Sequence, residues 1–271
     1  MSDNEAIGMI AGNGIYPAVF ARGARSAGIK RLVSAAFEGE TDPVIEEISD
    51  TVSWMRVGQL GKLIKFFESE KITRAVMVGQ IEPKNLFDLR PDMRTLVLLG
   101  KLKERNAESI FCGIGEELSK NGIELIPATS YLDDLLPGPG HVCGPKPGKR
   151  LPDEAAFGYK IAKEMSRLNI GQTVVVSKGT VLAVEAFEWT NVAIKRGGEL
   201  GRGGAVVVKV SKPGQDLRFD VPCIGPDTIE VAASANVSAI VVEAGKTLLL
   251  GKDQIEERAR DKGVTVFAYE E

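Results

Sequence analysis

The chain has 271 residues, of which 44% are hydrophobic and 26% are charged, and its formal net charge is −3. This composition is typical of a globular protein with one large or two medium domains, and it lacks the basic excess expected of a nucleic-acid partner. The apolar runs are strand-sized, far short of the roughly 20 residues that a membrane span needs. The N-terminus MSDNEAIGMIAG carries acidic residues and does not resemble a secretory signal, so we expect a cytoplasmic protein.

Cysteine and histidine offer little for a metal site. Cys112, Cys143 and Cys223 are widely spaced and form no CxxC pair, and His141 is the single histidine. We therefore expect neither a disulfide framework nor a thiolate zinc site. A metal ion here is expected to be a hard cation held by carboxylates and phosphate, most simply Mg²⁺.

The first half of the chain alternates between short apolar runs and amphipathic stretches. AIGMIAG predicts a strand and YPAVFARGARSAG a helix, and RLVSAAF and VSWMRV predict two further strands. LGKLIKFFESE then predicts a helix, RAVMVG a strand, residues 92–104 and 107–121 two helices, and IELIPA a strand. This alternation predicts a Rossmann-like domain over residues 1–136, with a parallel sheet and helices on both faces.

Residues 137–152, PGPGHVCGPKPGKRLP, hold five prolines and four glycines. We expect neither helix nor sheet there, and we favour a linker between domains over a long surface loop. A helix follows, with Asp153 placed to cap it. The strands QTVVVSKG and TVLAVEAF, a helix near 189–200, the strand GAVVVKV and further alternation predict a mixed α/β catalytic domain over residues 153–271.

A glycine-rich turn lies between the first strand and the first helix. Gly12, Asn13 and Gly14 allow close backbone approach at a position where open α/β sheets bind phosphates. The dinucleotide fingerprint G-x-G-x-x-G fails because Pro17 stands at its third glycine position, so NAD binding is disfavoured. A phosphate-binding loop is the preferred interpretation, and a purely structural tight turn is the alternative.

A second loop follows the strand that ends at Val78. Gly79 and Gln80 are expected on the same rim as the first glycine turn if the sheet is parallel. Gln80 is a candidate to bind an amide or hydroxyl of a ligand. Arg90 and Asp92 flank a proline at a predicted helix start, and for both we favour a structural role, with Asp92 as a helix cap.

The segment TVLAVEAFEWTN carries polar residues at the end of an apolar strand. Glu185 must find a partner there or shift its pKa, which makes it either one arm of a structural ion pair or a site residue. Glu188, Thr190 and Asn191 come just after the strand, where ligand contacts concentrate. Thr190 has the alternative role of capping the next helix.

Alternating charge marks residues 211–222, SKPGQDLRFDVP, which we call the charged segment. In a straight strand Asp216 and Asp220 lie about 13 Å apart, too far to share a cation, and one of them pairs with Arg218. If the prolines and glycine bend the segment, all three side chains converge on a phosphate and its magnesium ion. Lys209 and Lys212 add positive charge beside it.

Four motifs together resemble the LpxI family, the UDP-2,3-diacylglucosamine pyrophosphatases of lipid A synthesis in Gram-negative bacteria. They are IAGNGIYP near the start, NIGQTVVV at 169–176, GTVLAVEAFEWTN at 179–191 and KVSKPGQDLRFDVPCIGPDTIEVAA at 209–233. The last one is similar to the family's K-P-x-Q-D-x-R-x-D-x-P-x-I-G-x-x-T block. The resemblance extends over nearly the whole chain.

The resemblance implies two α/β domains with an active site between them, Mg²⁺ dependence and a homodimer. The implied substrate is a UDP-linked acylated sugar, hydrolysed to UMP and the acylated sugar 1-phosphate, with transient contact at the inner-membrane surface. It implies Asp220 as metal ligand or general base, supported by Asp216, with Arg218, Lys209 and Lys212 stabilising phosphate charge. The implied substrate-binding residues are Gly12, Asn13, Gly14, Gly79, Gln80, Gln172, Glu188, Thr190 and Asn191.

Two positions depart from the family pattern in a way that keeps other functions open. Where the family usually reads E-G-T-D, this chain has Trp189 and Asn191 in place of the glycine and the aspartate. A divergent hydrolase of another nucleotide sugar and a non-catalytic nucleotide-sugar sensor are therefore the alternatives. An NAD-dependent oxidoreductase is disfavoured by Pro17.

Overall fold

A parallel sheet forms the centre of the first part of the chain. The computed structural model describes residues 6–81, 91–104 and 106–271, and the strands of this sheet lie in the order β3-β2-β1-β4-β5. They are β1 (Ala6–Ala11), β2 (Arg31–Phe37), β3 (Thr51–Met55), β4 (Arg74–Val78) and β5 (Glu124–Leu125). Each neighbouring pair is parallel, and the order reverses between β1 and β4. The Rossmann-like parallel sheet is thus confirmed.

Five helices are described beside this sheet, and all except the short one at Ile45–Ile48 were predicted, with bounds that agree to within three residues. They are α1 (Tyr16–Ser26), α2 (Ile45–Ile48), α3 (Leu60–Ser69), α4 (Met93–Lys101) and α5 (Ala107–Lys120). In α3 the buried residues are spaced i, i+3, i+4 and i+7, which places them on one helical face. They are Leu60, Leu63, Ile64 and Phe67. Asp92 caps α4 by accepting a hydrogen bond from Thr95 N, as predicted, and Arg90 lies outside the described residues.

A mixed sheet of six strands forms the second part, in the order β6-β13-β11-β9-β7-β8. Its strands are β6 (Gly140–Cys143), β7 (Thr173–Ser177), β8 (Thr180–Val184), β9 (Ala205–Lys209), β11 (Val237–Glu243) and β13 (Thr265–Tyr269). Strands β7 and β8, both predicted, form an antiparallel hairpin around residues 178–179. A separate parallel pair joins β10 (Cys223–Ile224) to β12 (Leu248–Leu249).

Helices pack on both faces of the mixed sheet. They are α6 (Leu151–Arg167), α7 (Thr190–Gly201), α8 (Pro226–Ser234) and α9 (Lys252–Lys262). The alternation along β9 assigns the two faces: Val206 and Val208 pack with the α6 residues, whereas Ala205 and Val207 pack with residues of α7, α8 and α9. Burial on both faces explains why this strand reads as a continuous apolar run.

Two expectations for residues 137–153 are wrong. Residues 140–143 form β6, an edge strand that pairs antiparallel with β13. An edge strand forms backbone hydrogen bonds to a neighbouring strand on one side only, so prolines and glycines beside it do not prevent its formation. Asp153 does not cap α6, because the helix begins at Leu151 and Arg150 occupies the N-cap position. Asp153 lies in the first turn of the helix.

The chain divides into two compact units, and the division does not follow the sequence order throughout. One unit contains Met1–Leu132 together with Asp216–Asp220, and the other contains Asp133–Gln215 together with Val221–Glu271. Part of the charged segment therefore groups with the Rossmann-like sheet.

Candidate functional site

The two glycine loops of the first unit meet at the carboxyl ends of β1 and β4. Asn13 N donates to the carbonyl oxygen of Gln80 at 2.7 Å, and Gln80 N donates to that of Asn13 at 3.1 Å. Gly12 N donates to Val78 O at 2.8 Å. The prediction that both loops lie on one rim is confirmed, and the rim is at the point where the strand order reverses, the usual ligand position in such sheets.

Close backbone contact explains two of the glycines at this rim. A Cβ on Gly12 would lie 2.7 Å from backbone atoms of Gln80, and one on Gly79 would lie 2.7 Å from Gly12 C. Gly79 also has a φ of +95°. Gly14 differs, because its φ is +88° and nothing lies within 4 Å of a Cβ placed there. Asn13 and Gly14 are exposed, so they are the part of the turn that a ligand can reach.

The charged segment forms turns, not a straight strand. Asp220 N donates to the carbonyl oxygen of Asp216 at 3.0 Å, which closes the chain into a turn between the two acids. Arg218 binds both carboxylate oxygens of Asp216, with Nε to Oδ1 at 2.9 Å and Nη2 to Oδ2 at 2.6 Å. These hydrogen bonds hold the pKa of Asp216 below its ordinary value and raise the pKa of Arg218. Asp220 is exposed in the same turn.

Ala128 connects this turn to the start of α1. Its N–H donates to Leu217 O at 2.7 Å, and its carbonyl oxygen accepts from Tyr16 Oη at 2.9 Å. Phe219 packs on Phe111 of α5 with ring centroids 5.5 Å apart. The turn that carries the two acids is thereby fixed to the Rossmann-like unit, on a residue that also contacts the helix following Gly14.

A second polar cluster lies in the mixed α/β unit, around Glu185. The side chain is buried and accepts hydrogen bonds from Gln172 N at 3.1 Å and from the Thr190 hydroxyl. Lys209 Nζ donates to Thr190 Oγ1 at 3.1 Å. Glu185, Thr190, Gln172 and Lys209 are therefore brought together, with Lys209 linked to the carboxylate through the hydroxyl. Thr190 does not cap α7, since Trp189 occupies the N-cap position.

The remaining predicted residues of this unit have different surroundings. Glu188 pairs with Arg196 at 2.6 Å, and its own backbone N–H and this arginine hold its pKa below the ordinary value. Asn191 is exposed on the first turn of α7. Lys212 is half-buried, and its backbone N–H donates to Gln215 Oε1 at 2.6 Å.

Sequence reasoning missed a buried charge at the end of β11. Glu243 is 3% exposed and forms ion pairs with Lys163 at 2.8 Å and Lys246 at 2.7 Å. Burial would raise its pKa, but hydrogen bonds from these lysines and from Ser211 outweigh it and bring the pKa to about 2. The signal in the sequence is a carboxylate that ends the apolar run VSAIVVE.

Protein side chains alone do not build a metal centre in the part of the chain that the structure describes. Among residues 6–81, 91–104 and 106–271 no three or more His, Cys, Asp or Glu side chains come together as a possible metal site. In the same ranges, no helix combines the length and the apolar character that crossing a bilayer demands.

The fold and the site define a two-unit α/β protein built on a Rossmann-like sheet, with exposed glycine and acidic turns on one unit. Comparison with family models then gives the family: the LpxI N-terminal domain matches residues 6–135, and the LpxI C-terminal domain matches residues 138–267. The chain belongs to the LpxI family.

A named relative agrees with this assignment. The UDP-2,3-diacylglucosamine pyrophosphatase LpxI of Caulobacter vibrioides is 30% identical over 276 aligned residues, which cover 96% of each chain. Among solved structures, the biotin carboxylase domain of Hydrogenobacter thermophilus 2-oxoglutarate carboxylase aligns with 64% of this chain and 35% of its own. Its identity is 11% and its TM-score 0.27, too weak a likeness to carry an argument.

Proposed function

We propose that this protein hydrolyses the diphosphate of UDP-2,3-diacylglucosamine in a Mg²⁺-dependent reaction. The products are UMP and 2,3-diacylglucosamine 1-phosphate. The observation that carries the proposal is the turn of the charged segment, in which Arg218 binds both oxygens of Asp216 while Asp220 is exposed beside them. Membership of the LpxI family and the name of the Caulobacter relative support it.

The donor set fits a magnesium ion that the substrate helps to hold. Mg²⁺ in proteins usually takes one or two carboxylates together with substrate phosphates and waters, so a cluster of three protein ligands is not needed. Asp220 is our candidate to hold the ion, because it is exposed in the turn of the charged segment. A bound Mg²⁺ neutralises phosphoryl oxygens and makes the phosphorus more open to attack.

The other residues have roles in binding and proton transfer. Asp220 is also our candidate to accept the proton of the attacking water. Lys209, Lys212 and Arg218 stabilise the negative charge of the diphosphate in the transition state. The exposed turn at residues 13–14 and the loop at residues 79–80 bind the nucleotide sugar at the carboxyl ends of the strands, with the Gln80 side chain as our candidate to contact an amide or hydroxyl.

The first test is turnover measured by mass spectrometry, with Mg²⁺ and with chelator. We expect UMP release from the wild type only with Mg²⁺, and a loss of about 100-fold or more in kcat for Asp220→Ala. Asp227→Ala is the matched control, since that carboxylate is 94% exposed and pairs only loosely with Arg258 at 3.5 Å. Wild-type protein that binds the substrate without releasing UMP would refute hydrolysis and favour the nucleotide-sugar sensor.

We further propose a cytoplasmic homodimer that touches the inner membrane transiently. A substrate with two acyl chains resides in a bilayer, so the enzyme must meet it at the bilayer surface. Light scattering tests the dimer, and sedimentation with phospholipid vesicles tests the surface contact. A monomer at micromolar concentration, or no sedimentation with substrate-loaded vesicles, would contradict the respective part.

A further inference from the structure

The first residue of the charged segment is held at three polar atoms. Ser211 N and Ser211 Oγ each donate to Glu243 Oε2 at 2.7 Å. Lys163 Nζ donates to Ser211 O at 2.9 Å. Since backbone N–H, backbone carbonyl and hydroxyl are all bonded, both the position and the rotation of this residue are determined.

The two residues that hold Ser211 are paired with each other, and Glu243 is buried while Lys163 is partly buried. Lys163 Nζ lies 2.8 Å from both carboxylate oxygens of Glu243, and Tyr159 Oη donates to Glu243 Oε1 at 3.2 Å. The exposed fraction of the side chain is 4% for Glu243 and 19% for Lys163. A buried ion pair contributes little to stability compared with apolar side chains of the same volume. Apolar side chains in its place could not bond Ser211.

The last residue of the charged segment is tied to the same short stretch of chain. Leu248 N donates to Pro222 O at 2.9 Å, and β10 continues from there as the parallel partner of β12. Residues 243–247 form a turn, because Thr247 N donates to Glu243 O at 3.2 Å. Residues 243–248 therefore hold both ends of the charged segment.

The residues between these two ends are those that the proposed function uses. Lys212 directly follows Ser211, and Asp220 stands two residues before Pro222. The turn with Asp216 and Asp220 groups with the other unit, whereas Lys212 belongs to the same unit as Ser211.

We propose that Glu243 and Lys163 are positioning residues for the start of this segment: their ion pair fixes Ser211 and thereby the placement of Lys212, the next residue. The catalytic part of this inference rests on the proposed function. A displacement near 1 Å at a reacting group lowers a rate by about 100-fold. Loss of the pair is therefore expected to lower kcat strongly while KM, set by contacts elsewhere on the substrate, changes less.

The test uses the double variant Glu243→Leu with Lys163→Met, which removes both charges and keeps the side-chain volumes. It is expected to fold, because no unpaired buried charge remains. Val241→Ala is the control: its side chain is fully buried in the same strand, and its loss lowers stability without touching Ser211. Ser211→Ala is a milder variant that removes the two hydrogen bonds of the hydroxyl and keeps those of the backbone.

Two readouts separate positioning from general destabilisation. Hydrogen exchange by mass spectrometry should show the amides of residues 211–215 exchanging at least tenfold faster in the double variant and unchanged in Val241→Ala. The kcat at a temperature well below unfolding should fall 10- to 100-fold in the double variant, less in Ser211→Ala, and not in Val241→Ala.

Each contrary outcome overturns a definite statement. Unchanged exchange in residues 211–215 shows that the ion pair does not fix the start of the segment. Faster exchange with unchanged kcat shows that the fixation does not serve catalysis. An inactive wild type refutes the proposed function together with the catalytic part, while the exchange measurement still decides whether the pair fixes the segment.

Discussion

Trp189 has a backbone conformation that suits glycine, so we predict an unusual order of stability for two substitutions at this position. Its φ is 74° and its ψ is 160°, a region that residues with a Cβ rarely adopt. The side chain is 51% exposed, so burial does not compensate fully for the strain. We predict that Trp189→Gly is more stable than Trp189→Ala, although an alanine variant is normally more stable than a glycine variant.

The magnitude follows from two opposing terms. Both variants lack the indole, so its contacts cancel in the comparison. Strain at such a φ/ψ costs alanine about 1–3 kcal/mol. The greater freedom of glycine in the unfolded chain costs the glycine variant about 0.5–1 kcal/mol. From the middle of each range, the glycine variant is expected to be more stable by about 1 kcal/mol.

The assay is urea unfolding followed by circular dichroism, with the same pair of substitutions at an ordinary helical position as control. Lys195 is exposed in α7, and the free energy of unfolding of its alanine variant should exceed that of its glycine variant by about 1 kcal/mol. The order of the two variants must reverse between positions 189 and 195. Equal stability at 189, or a more stable alanine variant, would refute the argument from strain.

Three further predictions concern pH, the glycine turn and the Glu185 cluster. Because the pKa of Glu243 is lowered from 4.5 to about 2, its contribution to stability is complete above pH 4.5 and is lost as the pH falls towards 2. The loss in the free energy of unfolding is about 3 kcal/mol by linkage. When stability is measured against pH in acid, Glu243→Gln should therefore show a shallower decline than the wild type. Gly12→Ala should lower the melting temperature more than Gly14→Ala, because a Cβ meets backbone at 2.7 Å at Gly12, whereas at Gly14 it meets nothing within 4 Å and only the φ of +88° opposes it; equal losses would contradict this. Thr190→Val removes a donor from buried Glu185 and should cost about 1–3 kcal/mol in urea unfolding, whereas Thr190→Ser should cost little, and equal costs would argue against the hydroxyl.

Local pattern was enough to predict the elements and part of the rim. Apolar periodicity and alternation depend on neighbours within a few residues, so the strands β1 and β4 and the helix α3 were predicted with the correct type. The meeting of the two glycine loops followed as well, because the carboxyl ends of neighbouring parallel strands must lie on one edge. The edge strand β6 was missed, since a single hydrogen-bonded side tolerates the glycines and prolines that usually interrupt a sheet.

The sequence by itself thus determined the α/β class, the glycine turn and the family through its Q-D-L-R-F-D block. Tertiary structure alone decided that Asp216–Asp220 groups with the first unit, and that Lys163 meets Glu243 across 80 positions of the chain. Periodicity records which face of an element is buried, but it carries no information about partners that are distant in sequence. Those partners are set by packing and by the requirement that every buried charge be paired.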